Sequence, residues 1–138
     1  MLKNRPELTN VWIEEKVTLL SNMMMQIDGE VLLVPRGYNT DLVTVPNTFD
    51  FYFNRRYDGN LFIYAAILHD YILEKGYRTV VIGEAINNIP TSRHAGDYYF
   101  LAALLSLGIR KPLAYSMYCA VWIYSEVYLQ SKRFKLIR

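Results

Sequence analysis

The sequence predicts an α+β fold: a small N-terminal antiparallel sheet packed on about three main helices, with a central buried helix at about residues 61–74. Three observations lead there. The first third alternates short β-branched and apolar runs with turn signals, above all Asp28-Gly29. A single run, Leu61 to Leu73, is apolar nearly all round yet carries His69 next to Asp70. Two helix-length segments follow, separated by Gly108 and restarted by Pro112.

The elements follow in order. Leu2 to Asn10 reads as a loose arm without the apolar core of a signal peptide. Val11-Trp12-Ile13 suits a short strand, as do Val17–Leu20 and Met23–Ile27. Asp28-Gly29 then turns the chain, because both positions of a two-residue hairpin loop need positive φ. Glu30–Val34 is the returning strand, ended by Pro35, which has no N–H for a ladder. The three consecutive methionines, Met23 to Met25, suit a strand covered on both faces or an interface. Pro46 forces Val45 out of the helical region, so Thr40 to Pro46 is an extended link. Asn47 to Asp58 reads as an irregular aromatic loop that packs on the core or on a partner.

A helix that is apolar on every side is central, which assigns Leu61–Leu73 to the core and makes Gly76 its terminator. Tyr77 to Pro90 is an excursion in which Thr79–Ile82 has strand propensity and Glu84–Asn88 suits a helical turn. Thr91 or Ser92 caps the next helix, which runs to about Leu107. Pro112 fits the first turn of the last helix, from about Lys111 to Leu129.

The chain has 138 residues, of which 52% are hydrophobic, and suits one domain over 1–138, with 1–10 an arm and 130–138 a basic tail. A formal net charge of +2 gives no electrostatic footprint for nucleic acid. No run reaches the ~20 apolar residues of a membrane span. The lone Cys119 excludes an intrachain disulfide and is expected to pack as a small apolar group.

The candidate site is Asp41, His69, Asp70 and Asp97. Residues adjacent on a helix point about 100° apart, so His69 and Asp70 serve different directions, one towards Asp41 and the other towards the Asp97 helix. His94 and Asp97, three apart, share a helix face. Three readings compete. Asp41, His69 and Asp97 are candidate ligands for a divalent metal in a hydrolytic site, since imidazole with carboxylate suits zinc, manganese or iron. Metal-free acid–base chemistry makes His69 the base and a carboxylate its orienting partner. The structural reading makes His69 a satisfied core histidine and the aspartates backbone or loop braces.

Val34-Pro35-Arg36-Gly37-Tyr38-Asn39-Thr40-Asp41-Leu42-Val43-Thr44-Val45-Pro46 resembles the pattern V-P-x-G-F-x-T-D-L-A-S-V-P. Ala65-Ala66-Ile67-Leu68-His69-Asp70-Tyr71 resembles A-A-x-x-H-D-Y-L, and Ser92 to Asp97 resembles S-R-x-x-A-D with Gly96 in place of alanine. These patterns belong to a family of unknown function found in tailed phages and prophages. The resemblance implies a phage-encoded accessory protein in which Asp41, His69, Asp70 and Asp97 share one polar cluster, and it demotes His94 to a variable position. On the resemblance and the site together, the expected function is a phage accessory protein, with a metal-dependent hydrolase as one form. The alternative is a non-enzymatic virion or tail protein, or an inhibitor of a host defence system. That form implies a protein partner or a homo-oligomer, bound through Phe49–Tyr57 and the last helix. Either form belongs in the host cytoplasm or the virion.

Overall fold

A computed structural model of the chain describes residues 17–40 and 62–129. The expectations for the arm, Val11–Ile13, Asp41, the aromatic loop Phe49–Tyr57 and the basic tail lie outside these residues. The described elements are β1 (Val17–Thr18), β2 (Met23–Ile27), β3 (Glu30–Val34), β4 (Asn39–Thr40), α1 (Phe62–Lys75), β5 (Tyr77–Ile82), β6 (Ala85–Pro90), α2 (Arg93–Ser106) and α3 (Lys111–Tyr124). One π-helical turn, Ser125–Leu129, continues α3. The fold class is α+β, as the sequence predicts.

Strands β2, β3, β5 and β6 form one antiparallel sheet in that order, and β1 pairs with β4 in a second, two-stranded one. The Asp28-Gly29 turn has φ of 51° and 79°, the doubly positive geometry of a type I′ hairpin. It fixes the register Met25↔Leu32 and Ile27↔Glu30. Met23, Met25 and Ile27 therefore point into the core, Met24 is half-buried and Gln26 is exposed. The methionine strand is thus covered fully on one face only.

The excursion after α1 is a β-hairpin that completes the sheet, with Val80 opposite Leu32 and Asn87 opposite Val80. This corrects the helical turn expected at Glu84–Asn88. Strand β6 lies at the sheet's edge with side chains that are nearly all exposed, so no alternation marks it as a strand. Pro90 at its end has no N–H to expose.

Helix α1 is the hub. Every residue from Phe62 to Ile72 is buried, and the helix packs on α2 and β5. Around it lie Leu19, Met25, Leu32, Phe100 and Leu104, each all but fully buried. Burying each such side chain contributes roughly 1.5–3 kcal/mol. Helix α2 presents Asp97, Phe100, Leu101 and Leu104 inward. It approaches so closely that a Cβ on Gly96 would lie 2.6 Å from Leu73 Cδ1 and 3.2 Å from Ile72 Cγ2. No helix among the described residues is long and apolar enough to cross a membrane.

Candidate functional site

Three consecutive residues of α1 reach in three directions, as the 100° step between helical neighbours requires. His69 faces α2, where its Nε2 lies 2.7 Å from Asp97 Oδ1. Both side chains are fully buried. Ser125 Oγ, buried in the π turn, donates to the same Asp97 oxygen at 3.4 Å. Phe100 covers the imidazole, its ring centroid 5.2 Å away. Among the described residues Asp97 Oδ2 is buried without a hydrogen-bond partner.

Asp70 faces the β1–β4 side. Its Oδ2 accepts from Thr40 Oγ1 and from the Tyr38 hydroxyl, the latter at 2.9 Å. The Tyr38 hydroxyl also lies 2.7 Å from Glu74 Oε2, so one phenolic proton serves two carboxylates. Burial first, and then those carboxylates, push the Tyr38 hydroxyl above the ordinary tyrosine range. Tyr71 takes the third direction. Thr79 gives its only hydroxyl proton to Asn88 Oδ1 at 2.8 Å. Tyr71 must then be the donor in its 2.9 Å bond to Thr79.

Of the four candidates, His69 and Asp97 meet, Asp70 belongs to a separate cluster, and Asp41 lies outside the described residues. His94, which shares a helix face with Asp97 in the sequence reading, turns outward instead. Its Nε2 lies 2.7 Å from Glu126 Oε1 and its ring stacks on Trp122 at 5.0 Å. Cys119 is exposed, against the expectation that it packs inward. It sits on the face of α3 opposite buried Ala114, Met117 and Val121. Sequence reasoning missed four partners. Glu74 lies one turn after Asp70, and Tyr38 and Thr40 lie inside the first motif, so these three left a trace. Ser125 left none, because an isolated serine near a helix end has many uses.

Could the cluster hold a metal? His69 Nε2 is already engaged by Asp97, and Asp70 points elsewhere. Among the described residues no three His, Cys, Asp or Glu side chains come together to hold an ion. The pair as described is therefore no ligand set, and it is closed off from solvent.

The outer face of α3 contrasts with this closed core. Pro112, Tyr115, Ser116, Cys119, Trp122 and Ile123 are its exposed residues between Lys111 and Glu126, and none is charged. Tyr115, Trp122 and Ile123 are 50%, 40% and 57% exposed, and Val127 continues the face at 67%. Surface helices ordinarily place charge opposite their buried stripe.

Residues 17–121 match the family described as a protein of unknown function, DUF1353. No curated protein and no solved structure matches the chain.

Proposed function

The chain belongs to this family of unknown function, and from that premise we propose that it is a phage-encoded accessory protein that works by protein–protein contact. The uncharged outer face of α3 carries the reading. A helix apolar on its inner face, with tyrosine, tryptophan and isoleucine exposed on the other, is built to be covered on both sides. Aromatic residues are enriched and charges depleted at the cores of protein interfaces. The phage assignment rests on the three sequence patterns alone. The contact then takes place in the host cytoplasm or on the virion, with a virion or host-defence protein as the partner.

A hydrolase using Asp41, His69, Asp70 and Asp97 is the second reading. The buried, unpartnered Asp97 Oδ2 favours it, because an orphaned buried acceptor costs roughly 1–3 kcal/mol and calls for an explanation. Full burial of His69 and Asp97 counts against it, since substrate has to reach the base.

Complementation separates the two. The gene is deleted and its phenotype restored with variants whose thermal midpoints lie within a few degrees of the parent. The contact reading expects Trp122→Glu with Ile123→Glu to fail and Asp97→Asn to succeed. Failure of Asp97→Asn alone, with saturable binding of zinc or manganese by calorimetry, would replace it with the hydrolase.

A further inference from the structure

Near its N-terminal end the outer face of α3 runs into a groove of about 270 Å³. Ile27 and Asp28 of the β2 end and its turn form one wall, Leu101 and Leu105 of α2 the floor, and Tyr98 and Tyr115 the rim. Pockets for drug-sized ligands run from about 300 Å³ upward, so this one suits a single long side chain. Both rim tyrosines are about half exposed, at 45% and 50%.

The groove has one sign of charge. Asp28 is the only charged residue among the described residues that line it. The Tyr98 hydroxyl donates to Asp28 Oδ2 at 2.8 Å, which holds ring and carboxylate together and leaves Oδ1 without a partner among the described residues. The hairpin turn fixes Asp28 in position at a φ of 51°. A carboxylate, two exposed aromatic rings and an aliphatic floor match the parts of a basic side chain. The stem lies on leucine, the cation faces tyrosine, and its N–H groups reach the carboxylate. An acidic side chain meets only repulsion there, and a neutral one leaves the carboxylate unused.

We infer that the groove takes a basic side chain, an arginine or lysine, presented by the partner that covers α3. The identity of the presenter rests on the contact reading above; the chemistry of the groove does not. Tyr115 belongs to both surfaces, so one partner can cover the helix and insert the side chain.

The test is a titration of the full ¹⁵N-labelled chain with N-acetyl-arginine amide and with its uncharged near-isostere, N-acetyl-citrulline amide. Backbone shifts at Asp28, Tyr98, Leu105 and Ser106 are followed. The arginine probe is expected to saturate in the millimolar range and to bind about threefold more tightly than citrulline, a difference of about 0.6 kcal/mol, as suits an exposed carboxylate. Asp28→Asn is expected to erase that preference, while Glu84→Gln, an exposed carboxylate removed from the β5–β6 turn outside the groove, leaves it intact. Equal binding of the two probes, absence of shifts at the groove, or a preference that survives Asp28→Asn overturns the inference. Loss of the arginine preference alongside a phenotype that still depends on Trp122 removes the groove and keeps the contact reading. An intact preference with a phenotype indifferent to Trp122 does the reverse.

Discussion

Asp97 divides its two oxygens unequally, Oδ1 facing both His69 and Ser125 while Oδ2 has no partner among the described residues. Such a group is costly to bury and costlier to break, because removing one member strands the other in the core. Asp97→Ala should therefore destabilise by roughly 2–4 kcal/mol, read as a fall in the urea midpoint at unchanged slope. Replacing both partners, as His69→Leu with Asp97→Leu, should recover part of that loss, since neither half of the pair is left stranded and Ser125 Oγ alone of these three groups loses its acceptor. Strictly additive losses in this double-mutant cycle would mean that the two residues act independently. The Asp70 cluster is milder. Tyr38→Phe deletes one shared hydroxyl while Thr40 still serves Asp70, and Glu74 is about half exposed to water. The expected loss is about 1 kcal/mol, and a loss above 3 kcal/mol would show that the hydroxyl holds more than these two contacts.

Where α1 and α2 cross, Gly96 has a packing role that an alanine there would test. Alanine gains up to about 1 kcal/mol of helix propensity. Its Cβ, however, displaces the mobile end of Leu73 and crowds Ile72, and an off-rotamer side chain costs about 0.5–1.5 kcal/mol. Gly96→Ala should thus stay within about 1 kcal/mol of the parent, whereas Gly96→Val, which the crossing cannot absorb, should lose 2 kcal/mol or more. Equal thermal midpoints for the two variants would contradict this packing. Elements differed in how plainly the sequence announced them, for related reasons. Helix α1 was legible because a buried helix shows apolar residues on all sides, and the β2–β3 hairpin because Asp28-Gly29 allows few other turns. Strand β6 was not, because an exposed edge strand has neither alternation nor a buried face. That one of His69 and Asp70 meets the Asp97 helix was legible, because Asp97 shares a helical stripe with buried Leu101 and Leu104; that it is His69 was not. The roles of Ser125 and Tyr38 depend on contacts 28 and 32 residues away along the chain, which no local pattern encodes.

At the scale of the whole molecule, one charged clamp ties the sheet to the helices. Arg78 of β5 holds Glu30 of β3 through Nε and Nη2 at 3.0 and 3.1 Å and reaches Thr91 through Nη1 at 3.1 Å. Its guanidinium lies 5.2 Å from the ring centroid of Tyr99 on α2, whose hydroxyl donates to Glu30 at 3.0 Å. The two acids of this clamp bound the stability profile from opposite sides. The hydrogen bond from Arg78 holds the Glu30 carboxyl below its ordinary value. A depressed carboxyl adds stability above its unfolded pKa, and that stability is lost as pH falls through the folded one. Burial, and then the bond to Glu30, push the Tyr99 hydroxyl up to about 12. A raised tyrosine contributes in full below its unfolded value near 10, and the contribution is lost as pH climbs through about 12. Stability should accordingly be flat through neutral pH and fall on both flanks. The Glu30 and Arg78 side chains are 27% and 18% exposed, so solvent screening limits the pair to about 1 kcal/mol. Glu30→Gln should lower the neutral plateau by about that amount and flatten the acid flank, converging on the parent at low pH. Tyr99→Phe should flatten the alkaline flank and weaken the acid flank only in part, because Arg78, the larger cause, still holds the Glu30 carboxyl down. Thermal midpoints of the parent and both variants across the pH range decide it. If Glu30→Gln runs parallel to the parent below pH ~4, the acid sensitivity originates elsewhere, and the clamp joins sheet to helix by packing rather than by charge.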